Sequence, residues 1–254
     1  MATSLRVHRG GEGGPLLLLL HGLGATGDVW AGWSQLLDHS WPGRWIAPDL
    51  PGHGGSPPLP EYTFDSLAEA LTPLLAPADR PVVLGHSLGG VVALALAART
   101  PVTAVVGLGV KVAWTEQELD RTAALAKRPV TWFGSRDEAV DRHLRVSGLG
   151  GLVTADDPAA TRGVREEDGR WRLALDPGAF GVGAPDMAGL LARANTEVRL
   201  ARGEQDPMNT DDQLKQYGVP VITLPGLGHN AHVQSPAECL PLLGTHLTGD
   251  VPSR

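Results

Sequence analysis

The chain has 254 residues, of which 42% are hydrophobic, 19% charged and only 5% aromatic. It is long enough for one α/β domain of ~200–250 residues and for burial of roughly three quarters of its unfolded surface without covalent staples. Its 21 basic and 28 acidic residues give a net charge of −7, the reverse of the basic surplus a nucleic-acid footprint needs, and three lysines (Lys111, Lys127 and Lys215) make no polybasic membrane patch. Cys239 stands alone, which excludes a disulfide framework within the chain.

In chain order, the N-terminal residues lead into the apolar run Leu16–Leu20. That run is about half the length of a signal peptide's hydrophobic region, and His21-Gly22 follows where a cleavage site would be expected. No stretch reaches the ~18 apolar residues of a membrane span, so a soluble cytoplasmic protein is expected. Further short runs follow at Trp45–Ala47, Val82–Leu84, Ala104–Val106, Glu197–Ala201 and Val219–Leu224. Between them lie segments of helical spacing or composition at Val29–Leu37, Asp65–Leu75, Leu88–Arg99, Asp211–Tyr217 and Pro236–Leu247. Runs this short and apolar throughout predict strands buried on both faces, and their alternation with helices predicts an α/β fold with a mostly parallel sheet.

The alternation breaks at about 114–189. A helix is expected from Thr115 to Ala126 and another from Glu138 to Val146, followed by Gly- and Asp-rich sequence around 148–157. The stretch also holds Trp114, Trp132, Phe133, Trp171 and Phe180, a large share of a small aromatic supply. We read 114–189 as a lid inserted over one end of the sheet, with 1–113 and 190–254 forming the core, because loops at strand ends of such sheets are where ligands bind.

Gly85-His86-Ser87-Leu88-Gly89-Gly90 lies between a strand and a helix. Gly-x-Ser-x-Gly in that setting makes a sharp turn that exposes the serine hydroxyl above the sheet edge. The hydroxyl is a nucleophile only with a base, and the base needs an orienting carboxylate. His229, in ProGlyLeuGlyHis after an apolar run, is favoured as base because the glycines let its loop come close to the serine; His232 is the alternative. Asp206, in GlyGluGlnAspPro at the end of another run, is favoured as the acid, with Glu204 its competitor. Backbone N–H groups of Leu23, in HisGlyLeuGly, and of Leu88 are candidate oxyanion donors; losing one such donor typically costs on the order of 10²–10³ in rate. His21 is read as bracing its loop, and Asp49–Ser56 as a rigid turn. His229-x-x-His232 lacks the spacing of a zinc site. Neither metal nor cofactor is implied.

HisGlyLeuGly, AspLeuProGlyHisGlyGlySer, GlyHisSerLeuGlyGly, GlyGluGlnAspPro and GlyLeuGlyHis, in this order, resemble the α/β-hydrolase superfamily over the chain outside 114–189. The resemblance implies an α/β-hydrolase fold with a small, mainly helical lid after the sixth strand. It implies Ser87 as nucleophile, Asp206 as acid, His229 as base, and Leu23 and Leu88 as the oxyanion hole. Relatives that open epoxides or remove halogens use aspartate at position 87, interfacial lipases carry larger lids, and proline-type aminopeptidases place tryptophan where Leu88 stands. Gln234 departs from the glutamate often found there. The expected activity is carboxylic ester hydrolysis through an acyl-enzyme. Lactonase, thioesterase and carbon–carbon hydrolase share the triad; cofactor-free perhydrolase and small-molecule receptor are more remote. Trp114, Trp132, Phe133 and Met208 are expected pocket walls for small-to-medium hydrophobic acyl esters, while Arg142 and Arg145 could bind a substrate carboxylate but read most simply as a solvated helix face. The high Arg-to-Lys ratio and the richness in Ala, Gly, Leu and Pro fit a GC-rich bacterial genome.

Overall fold

The computed structural model describes residues 4–77 and 79–247. Strands among them are β1 (Val7–Gly10), β2 (Leu16–Leu20), β3 (Arg44–Pro48), β4 (Val82–His86), β5 (Ala104–Leu108), β6 (Val164–Glu167), β7 (Arg170–Leu173), β8 (Glu197–Gly203) and β9 (Val221–Leu224). The α-helices are α1 (Ser34–Ser40), α2 (Phe64–Leu71), α3 (Leu88–Ala97), α4 (Glu116–Ala126), α5 (Arg136–Ser147), α6 (Pro158–Thr161), α7 (Met187–Arg193), α8 (Asp211–Lys215), α9 (Ala231–Gln234) and α10 (Pro236–Cys239). Seven strands form one sheet in the order β1-β3-β2-β4-β5-β8-β9. All neighbours pair in parallel except β1, which runs antiparallel along β3.

The five leucines of β2 show why an unbroken apolar run makes a central strand. Successive side chains point to opposite faces. Leu18 and Leu20 join Val83, Val105, Leu71 and Val92 in one core, while Leu17 and Leu19 join Leu84, Val106, Trp30 and Trp33 in the other. β1 has no such run; Val7–Gly10 is an edge strand, largely half-buried, placed by its register with β3. The helix expected over Val29–Leu37 is a 3-10 stretch, Gly27–Trp33, that continues into α1. The helix expected over Pro236–Leu247 is α10 followed by a 3-10 stretch, Leu240–His246, that breaks at Gly244, where φ is +57°.

Between β5 and β8 the chain makes a separate assembly. Capping boxes at Thr115/Glu118 and Ser135/Glu138 start α4 and α5, and Gly148 ends α5 with φ +70°. The Gly- and Asp-rich sequence of 148–157 is irregular, and beyond it come α6 and the hairpin β6–β7, whose turn is Asp168-Gly169 with both φ values positive, 51° and 74°. Ala139, Val140, Ala160 and Val164 form a small core of their own. Counted along this chain, the insertion follows the fifth strand of the large sheet and not the sixth. Its expected boundary at residue 189 falls inside α7, whose buried Met187 and Leu190 pack in the same core as α3. The later half of the insertion is sewn to the body by backbone bonds, Gly54 N–H to Ala174 O (2.7 Å) and Asp176 N–H to Gly52 O (2.7 Å), and by the Tyr62 hydroxyl on Asp176 (2.8 Å).

Strand order reverses between β2 and β4. The crevice of such a sheet lies at the carboxyl ends of the strands flanking that reversal, which are His21–Leu23 after β2 and Ser87 after β4. α3 closes on this crevice only because Gly85 has no side chain: a Cβ there would collide with the Gly89 carbonyl oxygen. Gly85→Ala is expected to destabilise the fold by about 3 kcal/mol, the upper range for overpacking, read as a lower urea midpoint at unchanged m-value. A loss under ~1 kcal/mol would contradict this close approach.

Candidate active site

Ser87 turns the chain from β4 into α3 with φ 49° and ψ −115°, a conformation L-residues rarely adopt. Its N–H donates to Leu108 O (2.8 Å), tying the turn to the end of β5. Leu88 is the first residue of α3, so its N–H is among the donors that a helix start leaves free. Gly22 lies directly against the serine: a Cβ on it would stand 3.3 Å from Ser87 Cβ and 2.8 Å from His86 Nδ1. Leu23, half-buried, follows Gly22 on that same loop. The loop is braced as expected by His21, whose Nδ1–H donates to Gly22 O (2.8 Å) while Nε2 accepts the Leu50 N–H (2.8 Å).

Asp206 and His229 come from loops after β8 and β9. The His229 Nδ1–H donates to Asp206 Oδ2 at 3.0 Å, and the Met208 N–H donates to Oδ1 at 2.9 Å, so both carboxylate oxygens are engaged. With Nδ1 held by the carboxylate, the proton-accepting nitrogen of a neutral His229 is Nε2. Glu204 takes no part: it is exposed and its Oε2 accepts the Gly226 N–H (2.8 Å). His232 is buried in α9, its ring centroid 4.2 Å from that of His86 and 4.6 Å from that of Trp30, away from the carboxylate. His86 joins the two halves of the site. Its Nε2–H donates to His229 O (3.0 Å), and their rings are 4.7 Å apart, which brings Ser87 and His229 onto adjoining loops.

Several supporting residues were not singled out from the sequence. Gly109 (φ +64°) passes beneath the pair, so near that a Cβ would stand 3.2 Å from His229 Nδ1. The buried Arg202 donates to the carbonyls of Glu204 (2.9 Å) and Asp206 (3.0 Å) and is itself held by Asp211 (2.9 Å), which clamps the acid loop. Asn209 spans Val110 O and Val112 N–H (2.6 and 2.9 Å), joining that loop to the start of the insertion. Glycine after a strand was the available signal for Gly109; Arg202 and Asn209 had none.

Of the four expected pocket walls, Phe133 lines a cleft of about 100 Å³ beside α4 and α5. Trp114 instead lies under Lys111, Trp132 under Arg170, and Met208 is exposed beyond Asp206, which it serves through its backbone. His8, Asp28 and Asp49 bring ligand-type atoms together, but the Arg6 guanidinium bonds both carboxylates (2.7 and 3.0 Å), which makes this an ion-pair cluster. No helix among the described residues is long and apolar enough to cross a membrane.

A nucleophile-type serine on a strand-to-helix turn beside a His–Asp pair, on a sheet of this order, defines an α/β-hydrolase site. The profile of the alpha/beta hydrolase family matches residues 17–242, and the chain belongs to that family. It is 43% identical over 109 residues to the magnesium-chelatase 30 kDa subunit of Rhodobacter capsulatus, covering 40% of this chain and 37% of that protein. It is 44% identical over 105 residues to lipase LipV of Mycobacterium tuberculosis, covering 40% and 39%. The matched stretch thus spans about two fifths of these relatives. E-2-(acetamidomethylene)succinate hydrolase shares the fold with a TM-score of 0.76 at 24% identity, over 91% of this chain and 90% of that one.

Burial holds three histidines around the site neutral. His53 and His232 are each pushed down to about 3, chiefly by desolvation and then by neighbouring histidine charge, and His86 falls well below its ordinary value for the same reasons. The unfolded chain takes up these protons as pH falls through 6.5, while the folded protein refuses them until about pH 3 for His53 and His232. Stability therefore declines on acidification across that window, by on the order of 1 kcal/mol per pH unit for each histidine. Urea midpoints measured from pH 7 to pH 4 are expected to fall steeply, and His232→Phe to flatten the slope by one histidine's share. An unchanged slope would remove His232 from this group.

Proposed function

We propose that the protein is a serine hydrolase of carboxylic esters of small-to-medium hydrophobic substrates. Ser87 is the nucleophile, His229 the base, Asp206 the orienting acid, and the N–H groups of Leu23 and Leu88 the oxyanion donors. The observation that carries the reading is the 3.0 Å bond from His229 Nδ1 to Asp206 Oδ2 on the loop adjoining Ser87. The names of relatives such as the lipase LipV agree with it.

In acylation, His229 Nε2 takes the Ser87 Oγ proton as Oγ adds to the ester carbonyl carbon. The carbonyl oxygen becomes an oxyanion, which the Leu23 and Leu88 amides stabilise; the free N–H groups and positive end of α3 favour the same charge. His229 then protonates the alkoxy oxygen, the C–O bond breaks and the alcohol leaves. A water molecule, deprotonated by His229, repeats the addition on the acyl-enzyme; the acid departs and Ser87 recovers its proton. Asp206 keeps Nδ1–H in place and stabilises the imidazolium in both halves. The insertion expected over 114–189 serves as the lid, covering the crevice and shaping the acyl pocket.

Hydrolysis of p-nitrophenyl esters from acetyl to dodecanoyl tests this reading, with fluorophosphonate labelling as a second readout. Ser87→Ala is expected to fold normally, lose labelling and lose turnover by about 10⁶. Asp206→Asn is expected to lose about 10⁴, and Glu204→Gln to stay near the parent. Comparable turnover in Ser87→Ala would overturn the assignment, and a worse loss in Glu204→Gln than in Asp206→Asn would move the acid.

A further inference from the structure

We propose that the substrate carries an anionic oxygen head group, a carboxylate or a phosphate, set apart from the scissile ester and held by Arg142 and Arg128. This inference rests on the ester-hydrolase reading. It begins from the position of α5. Val146 on that helix packs on Gly24, the residue after Leu23; a Cβ on Gly24 would stand 2.8 Å from Val146 Cγ1. At the end of α5, Asn230 Nδ2 donates to the carbonyls of Ser147 (3.3 Å) and Gly148 (3.0 Å), and Asn230 directly follows His229. One helix is thereby pinned between the loop of Leu23 and the loop of His229.

The cleft beside this helix encloses about 100 Å³. Leu125, Val146, Leu175 and Phe180 give it apolar walls, and its only charged lining residues are Arg128 and Arg142. In a chain of net charge −7, a cleft with two guanidiniums and no carboxylate is selectively cationic. Arg136 faces Asp156 (3.8 Å), Arg165 (2.8 Å) and Arg172 (3.1 Å) share Glu167, and Arg170 lies over Trp132, while Arg121, Arg145 and Arg162, which likewise carry no ion pair among the described residues, do not line the cleft. The guanidiniums of Arg128 and Arg142 have no hydrogen-bond or ion-pair partner among the described residues. Arg142 and Val146, four residues apart, share a face of α5, so Arg142 stands about 6 Å along the axis from the contact with Gly24. Val146, the lining residue that packs on Gly24, thus connects the cleft to the loop of Leu23, and the same lining carries guanidiniums whose geometry matches carboxylate or phosphate oxygens.

The test is a matched set of methyl esters of equal chain length bearing a terminal carboxylate, phosphate or methyl group. They are assayed with the parent, Arg142→Ala, Arg142→Lys and Arg128→Ala, with Ser87→Ala as the blank. The parent is expected to prefer one anionic series over the neutral one by about tenfold in kcat/KM, mostly through KM. Which series gains identifies the head group, and the preference should weaken in high salt. Arg142→Ala is expected to abolish it while changing neutral-ester turnover by less than about twofold, with Arg142→Lys retaining part. If the parent hydrolyses neutral esters as well as anionic ones, or the preference survives both alanine variants, the inference fails and the hydrolase reading stands. If the parent turns over no ester and a fluorophosphonate leaves Ser87 unlabelled, the hydrolase reading fails and takes the inference with it.

Discussion

The backbone at Ser87, held at φ 49°, sets the position of everything at the carboxyl end of the sheet. A non-glycine residue there stores strain on the order of 1–3 kcal/mol, and it persists only because its neighbours leave no alternative. The Ser87 N–H is committed to Leu108 O at 2.8 Å. Gly85 meets the carbonyl of Gly89, and Gly89 in turn lies against the Leu20 and His21 carbonyls at distances no Cβ could share. α3 is therefore forced down between β2 and β5, and every residue from Leu88 to Leu96 is buried. That explains its sequence: a helix apolar on all sides is a central helix, with no polar face to show. The same compression brings the loop after β2 against the serine, so one turn settles where the nucleophile and the proposed oxyanion donors stand relative to each other.

Behind that turn lies a layer of imidazoles with distinct tasks. His21 needs both ring nitrogens, one to donate to Gly22 O and one to accept from Leu50 N–H, a pairing of roles that a neutral histidine offers in a flat ring. It thereby satisfies two backbone groups of loops that have left the sheet and would otherwise be buried unpaired. His86 uses its Nε2–H to hold the carbonyl of His229. His232 stacks on His86 and Trp30 and acts as packing. Burial keeps His53, His86 and His232 neutral, while His229, the proposed base, has its ring 20% exposed.

How far the sequence revealed this depended on how local each cause was. Six strands of the large sheet were legible because burial on both faces writes itself as an apolar run. β1 was not, since its place comes from pairing with β3 and its own residues carry no pattern. The β6–β7 hairpin did have a local signal, Asp168-Gly169, but its strands ValArgGluGlu and ArgTrpArgLeu are too charged to read as buried. Ser87, Asp206 and His229 were legible as residues on strand-end loops. The choice between Asp206 and Glu204 was not settled locally, and it turns on which carboxylate the next strand's loop meets: Gly226 captures Glu204, and His229 meets Asp206. The pocket walls were least legible. Trp114 and Trp132 each found a cation close by in sequence or across the hairpin, whereas the cleft depends on how α4 and α5 diverge, a distance no residue pattern encodes.

This division of causes bears on how such a protein can change its substrate. The residues proposed for the chemistry all stand at strand ends of the main sheet, and Arg128 and Arg142 stand on the segment between β5 and β8. The insertion is attached where the body is already rigid: the turn at 52–54, the Asn209 clasp on Val110 and Val112, and the Gly24 contact with Val146. Side chains facing the cleft can therefore be exchanged at little cost to the frame that holds Ser87 and His229. Asn230 is the exception, because one side chain spans from the residue after the base to the last carbonyls of α5. Any shift of α5 that admitted a larger substrate would pull on that amide, and through it on the loop that sets His229. On the proposed reading, selectivity can thus drift along α5 as far as Arg142, but it meets the proposed catalytic frame at Asn230.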